Sequence, residues 1–160
     1  RSAFNMPVLA WTRTPPAVGD HPGVTFVRSL AELLSAVDVL SLHCPATPET
    51  RHLIGAPQLA LMRRDAVLIN TARGDVIDER ALVDALRGGR LAGAGLDVYE
   101  QEPLVHPGLV ERDDVVLLPH LGSATGETRE AMGMRAVENL RAFFRGEEPP
   151  DRLLLPATRP

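Results

Sequence analysis

Three residues of this 160-residue chain pair a side chain suited to catalysis with a position where catalysis is often placed. Arg73 follows the apolar run Ala66-Val67-Leu68-Ile69 and precedes Gly74. A guanidinium on a loop directly after a buried strand can hold a carboxylate through two parallel N–H bonds. His120 follows Val115-Val116-Leu117-Leu118-Pro119 and opens onto Gly122-Ser123-Ala124-Thr125, and histidine is the usual proton carrier near neutral pH. Glu102, within Tyr99-Glu100-Gln101-Glu102-Pro103, is a carboxylate able to orient such a histidine. Each also has a plainer reading: Arg73 in a surface ion pair, His120 bonded to local backbone, Glu102 in a solvated turn. Asp97 ends the small-residue run from Leu91 and can accept from a ligand or cap the next segment. Cys44 has only its neighbour His43 as a base, and side chains at i and i+1 need not face each other, so covalent catalysis is not expected. The five histidines lack His-x-x-x-His or His-x-His spacing and the cysteine is single. Neither a metal site nor an intrachain disulfide is expected.

Strands and helices in alternation would have to position these groups. Val8-Leu9-Ala10-Trp11, closed by Thr12-Arg13-Thr14-Pro15-Pro16, reads as a buried strand, and Val24-Thr25-Phe26-Val27 as a second short one. Further strands are expected near 37–42, 66–69, 92–96 and 115–118. Ser29 with Glu32 three residues later marks a helix start. Thr47-Pro48-Glu49-Thr50 suggests a single helical turn, and Pro57 opens a short helical piece through Met62. Asp78 can cap a helix over Glu79–Arg87 that Gly88-Gly89 stops, with Leu82, Ala85 and Leu86 on one face. A last helix is expected from about Thr125 to Arg145, with Val137, Leu140 and Phe144 on its buried side.

This alternation predicts an α/β fold with a parallel sheet and flanking helices. Such sheets bind ligands beyond the carboxyl ends of their strands. Here those ends carry Thr12-Arg13, His43-Cys44-Pro45, Asn70 to Asp75, Asp97 and His120.

Composition narrows the function classes. Seventeen basic residues, every one arginine, stand against 21 acidic, for a formal charge of −4, which does not point to nucleic acid. Without lysine the chain carries neither a Schiff-base lysine nor a P-loop lysine. No apolar run is long enough to span a membrane and no secretory leader is visible, so a soluble, cytoplasmic protein is expected. The first residue is not methionine, which leads to the expectation that the chain begins within a longer protein.

Four segments in order resemble the D-isomer-specific 2-hydroxyacid dehydrogenases. They are Leu42-His43-Cys44-Pro45 with Thr47-Pro48-Glu49-Thr50, Ile69-Asn70-Thr71-Ala72-Arg73-Gly74, Gly95-Leu96-Asp97-Val98-Tyr99-Glu100, and Leu118-Pro119-His120-Leu121-Gly122-Ser123-Ala124-Thr125. The opening, Ser2-Ala3-Phe4 onward, resembles the tail of that family's first dinucleotide-fold helix entering the second strand. The resemblance implies a Rossmann-type fold and reversible reduction of a 2-keto acid to the D-2-hydroxy acid with NADH or NADPH. It further implies that Arg73 binds the substrate carboxylate and keto oxygen, that His120 protonates the alkoxide, and that Glu102 partners the histidine. Asp97 corresponds to the family's aspartate near the nicotinamide carboxamide, and Cys44, Pro45, Thr71, Ala72 and Gly122 to its cofactor-lining loops.

Two departures carry weight. The first strand and its glycine-rich phosphate loop are absent, as is the family's mostly N-terminal substrate domain. Residues 1–148 are therefore expected to be a partial NAD(P)-binding domain, N-terminally truncated, and 149–160 a tail leading toward the absent domain. The missing N-terminal part would be a partner, and a homodimer of the longer protein is compatible with the family. Second, Thr12-Arg13 stands where an acidic residue would accept from the NAD ribose, which shifts the expectation toward NADP. The alternative reading is a non-catalytic remnant or corepressor-like regulatory module of the same fold.

Overall fold

The computed structural model describes residues 5–14 and 21–153. The opening Ser2-Ala3-Phe4, the Pro15-Pro16 pair and the end of the expected 149–160 tail lie outside them. The elements run β1 (Val8–Ala10), β2 (Val24–Phe26), α1 (Leu30–Ala36), β3 (Val39–Leu42), α2 (Ala56–Leu61), β4 (Val67–Asn70), a 3-10 turn over Gly74–Val76, α3 (Glu79–Arg87), β5 (Gly93–Leu96), α4 (Pro107–Val110), β6 (Val115–Leu117) and α5 (Gly126–Phe144). The chain divides into two compact units, Arg1–Pro119 and His120–Pro160.

In the first unit every strand pairing is parallel. β1 pairs with β2, and β3, β4, β5 and β6 lie side by side in chain order. A doubly wound sheet runs outward in both directions from its first strand. The β1–β2 pair and the β3–β6 sheet are two separate parallel sheets.

Period-2 alternation sorts the side chains. Leu40, Leu68 and Ala94 are in register and buried, as are Leu42, Asn70 and Leu96. Leu33 and Leu34 of α1, Leu59 of α2, Leu82, Val83 and Leu86 of α3 and Leu109 of α4 complete the same core. The opposite face is less covered, with Val39 and Val116 more than half exposed, although parallel strands are commonly buried on both faces.

The helix starts follow their capping residues. Ser29 Oγ accepts from Glu32 N–H at 3.1 Å, while the Glu32 carboxylate reaches back to Arg28 N–H at 2.9 Å. Asp78 Oδ1 accepts from Ala81 N–H at 3.0 Å. Each satisfies a donor that the first helical turn leaves open. Small residues in β5 allow the close approach expected of them. A Cβ on Gly93 would stand 2.5 Å from the Asp114 carbonyl oxygen.

The second unit holds α5, capped by Thr125 Oγ1 accepting from Thr128 N–H at 3.2 Å. Here one expectation fails. Val137, Leu140 and Phe144 do not form a buried side; they are 37%, 56% and 81% exposed, and no residue of α5 is buried. The only described segment that returns to this helix within its unit is polar: Arg135 and Asn139 clasp Asp151, with Arg135 Nε at 2.6 Å from the carboxylate. Among the described residues of the unit, no apolar element meets the other side.

Candidate functional site at the carboxyl edge of the sheet

Because β3 to β6 are parallel, their carboxyl ends share one edge, and the loops leaving them carry most of the expected site residues. Cys44 and Pro45 follow β3, Thr71, Ala72 and Arg73 follow β4, and Asp97 follows β5. Thr12 and Arg13 leave the end of β1, both exposed. Arg13 is near enough to Glu49, on the turn after β3, for its charge to act there. The Thr47 hydroxyl first, and Arg13 to a lesser degree, hold the Glu49 carboxyl below its ordinary value. The β1 and β3 loops therefore share a neighbourhood. Thr47–Thr50 forms the expected turn, with Arg51 N–H donating to the Thr47 carbonyl at 3.0 Å.

The Arg73 loop is shaped by a residue that sequence reasoning did not single out. Asn70, the last residue of β4 and 1% exposed, accepts from Ala72 N–H at 3.0 Å and donates to the Arg73 carbonyl at 2.9 Å. An asparagine bonding the backbone ahead of it imposes a tight turn. Arg73 is turned outward, exposed, and its guanidinium donates to the Ala72 carbonyl at 2.6 Å.

Beyond β5, Asp97 is buried and its N–H donates to the Asn70 carbonyl at 3.0 Å, tying the β4 and β5 ends together. Tyr99 is buried with its hydroxyl donating to the Leu118 carbonyl at 2.8 Å, and the Leu96 carbonyl lies 3.2 Å away. Burial, above all, holds its phenol above the ordinary value. The N–H of Tyr99 donates to Glu102 Oε1 at 3.0 Å, so the exposed Glu102 carboxylate is anchored on its own loop. Gly74 makes the two loops abut. A Cβ there would overlap the Tyr99 carbonyl and crowd the Glu100 nitrogen. The main chain next to Arg73 thus packs directly on the loop bearing Glu102.

His120 and Gly122 belong to the second unit, both exposed, and His120 takes a left-handed backbone with φ 55°. Sequence reasoning also missed Glu79, a buried carboxylate at the first position of α3, and its partners Glu100 and His52. The only signal was a charged residue opening a helix, which is usually solvated.

The profile of the NAD binding domain of the D-isomer specific 2-hydroxyacid dehydrogenases matches residues 1–122. The chain belongs to this family. As a 2-hydroxyacid dehydrogenase domain it is 55% identical over 151 residues to a glyoxylate reductase of Aeropyrum pernix, covering 93% of this chain and 45% of that protein. It is 46% identical over 149 residues to the glyoxylate reductase of Thermococcus litoralis, covering 92% and 45%. Among solved structures, the NADPH-dependent glyoxylate/hydroxypyruvate reductase of Sinorhizobium meliloti, crystallised with NADP and malonate, superposes with a TM-score of 0.84 at 39% identity, covering 96% of this chain and 50% of that one. The chain spans about half the length of the curated relatives it matches. For this dehydrogenase domain the expected Rossmann-type parallel sheet holds. No helix among its described residues is long and apolar enough to cross a membrane.

Proposed function

We propose that the chain is the cofactor-binding part of an NAD(P)H-dependent reductase that converts small 2-keto acids, glyoxylate and hydroxypyruvate foremost, to D-2-hydroxy acids. The observation that carries this reading is the family match over a parallel sheet whose carboxyl edge brings the Arg73 and Glu102 loops into contact. The substrate domain would be contributed by the half of the relatives' length that this chain does not span, and residues 149–160 would lead toward it.

Thr12 and Arg13 follow β1, and Cys44, Pro45, Thr71, Ala72 and Asp97 follow strands of the β3–β6 sheet; with Gly122 these are the residues assigned to the dinucleotide. When bound, the nicotinamide supplies the hydride. The exposed Arg13 guanidinium, with no acid at Thr12, suits a 2′-phosphate, favouring NADPH. Arg73 holds the substrate carboxylate and directs the keto carbon. His120, as imidazolium, gives its proton to the oxygen as the alkoxide forms, and Glu102 stabilises and orients that imidazolium.

The test is NADH and NADPH oxidation by the protein as encoded in full, with glyoxylate, hydroxypyruvate and pyruvate. Turnover with at least one acid is expected. The His120→Ala variant should lose about 10²–10⁴-fold in kcat, and Thr12→Asp should move preference toward NADH. Near-wild-type kcat in His120→Ala with every active substrate sinks the assignment.

A further inference from the structure

Behind the Glu102 loop lies a polar cluster that the proposed chemistry does not use. His52 Nε2 sits 2.5 Å from Glu100 Oε1. The other Glu100 oxygen accepts from Glu79 N–H at 3.0 Å, and Glu100 N–H donates to Glu79 Oε1 at 2.7 Å. Each glutamate thus holds the other's main chain, and the histidine holds one of them. His52 is itself fixed: its backbone is left-handed with φ 51°, and its N–H donates to the Asp75 carbonyl at 2.7 Å. Next to it, Ile54 N–H donates to the Val76 carbonyl at 3.0 Å. The cluster therefore joins three chain segments: the stretch after the Thr47–Thr50 turn, the Gly74–Glu79 run following Arg73, and the Tyr99–Glu102 loop.

We infer that His52, Glu79 and Glu100 are positioning residues, a brace that fixes the Glu102 loop against the Arg73 loop from the side away from the substrate. Two carboxylates this close, one of them buried, are an unfavourable pair to place where packing alone would serve. What they accomplish is to clamp the peptide between Tyr99 and Glu100. That peptide abuts Gly74, and the N–H of the adjoining Val98–Tyr99 peptide anchors Glu102. A shift there moves both groups proposed to meet the keto acid. Thr12 and Arg13, beyond β1, take no part in these bonds. The catalytic half of this inference rests on the proposed reductase reading; the structural half does not.

The experiment compares His52→Phe, which keeps a ring but no donor, with His52→Gln, whose amide can still donate to Glu100. Both are made in the protein as encoded in full. Amide hydrogen exchange at residues 99–102 and steady-state kinetics with glyoxylate are measured on each. Exchange about tenfold faster in His52→Phe is expected. A similar fall in kcat should accompany it, with the cofactor KM within about twofold, and His52→Gln should recover most of both. Unchanged exchange in the phenylalanine variant overturns the brace. Faster exchange with unaltered kcat overturns its positioning role. Equal damage in both variants also overturns it, because the donor would then be irrelevant. If wild type reduces no keto acid, the reductase reading fails and the positioning role falls with it, while the exchange data still decide the brace. If His52→Phe does not fold, Glu100→Leu carries the same test, since it removes the acceptors of both His52 and the Glu79 N–H.

Discussion

Helices α3 and α5 are written in the same language and end in opposite environments. Both have an oxygen-bearing N-cap, Asp78 or Thr125, and both repeat apolar residues at spacings of three and four. In α3 that face is buried, with Leu82, Val83 and Leu86 at 2% exposure or less. In α5, twice as long, nothing is buried. The spacing establishes that a helix has an apolar side; only the rest of the chain decides whether anything covers it. For α3, a sheet and the neighbouring α2 are available within the first unit. For α5 the described residues of the second unit offer one short polar return.

Substitutions can break or sharpen this contrast. The largest effect is expected within the first unit at Gly74, where a methyl group meets main chain that cannot step aside. Gly74→Ala should cost roughly 3 kcal/mol or more, visible as a collapse of the urea midpoint; a midpoint near wild type would mean that the Arg73 and Glu102 loops do not abut. Next comes the direct comparison of the helices. Leu82→Ala in α3 should cost about 2–4 kcal/mol, and Leu140→Ala in α5 less than about 0.5 kcal/mol. Equal losses in denaturant titration would show that α5 has a covering partner in solution. Asn70→Ala should fall between them, at about 1–2 kcal/mol, because it leaves the Ala72 N–H and Arg73 carbonyl without their bonds.

The pH dependence gives a smaller and more local reading. Burial, in the main, and the nearby Glu100 charge raise the Glu79 carboxyl above its ordinary value. The folded state then binds that proton more tightly than the unfolded chain. Its contribution is full below the ordinary glutamate range and is lost as pH rises through the folded value. Glu79→Gln should flatten the stability curve across that window, measured as Tm against pH, and an unchanged slope would refute the assignment. The smallest effect belongs to α5. Asp151→Asn weakens the exposed clasp on Arg135, whose charge together with its hydrogen bonds, the latter foremost, holds the Asp151 carboxyl below its ordinary value. Tm should not move, but limited proteolysis after residue 146 should quicken. A lowered Tm would instead tie this clasp to the stability of the first unit.

Much of the fold was legible because its signals are local. Four-residue apolar runs closed by Asn70 or Pro119, and the Val37–Leu42 segment ahead of Pro45, mark parallel strands, and Ser29, Asp78 and Thr125 mark helix starts. The short α4 and the 3-10 turn after Arg73 carry no periodicity and were not foreseen. The positions of Arg73 and Glu102 on loops were readable from the strand ends. Their coupling through Gly74 was not, since it depends on a backbone contact between segments far apart in sequence. The Glu79–Glu100–His52 cluster was hidden for the same reason: nothing adjacent to Glu79 announces that its helix start will be buried under another loop.

The in-order sheet has a kinetic consequence. Each of β4, β5 and β6 pairs with the strand synthesised just before it, so each of these closures spans a single crossover. Parallel sheets usually fold slowly because their contacts are far apart along the chain. Here the sheet can grow by adding one edge at a time in the direction of translation, each new strand docking on a platform already formed. In that order the Arg73 loop, after β4, takes shape before the Tyr99–Glu102 loop, after β5, so the two loops that abut at Gly74 are built one strand apart.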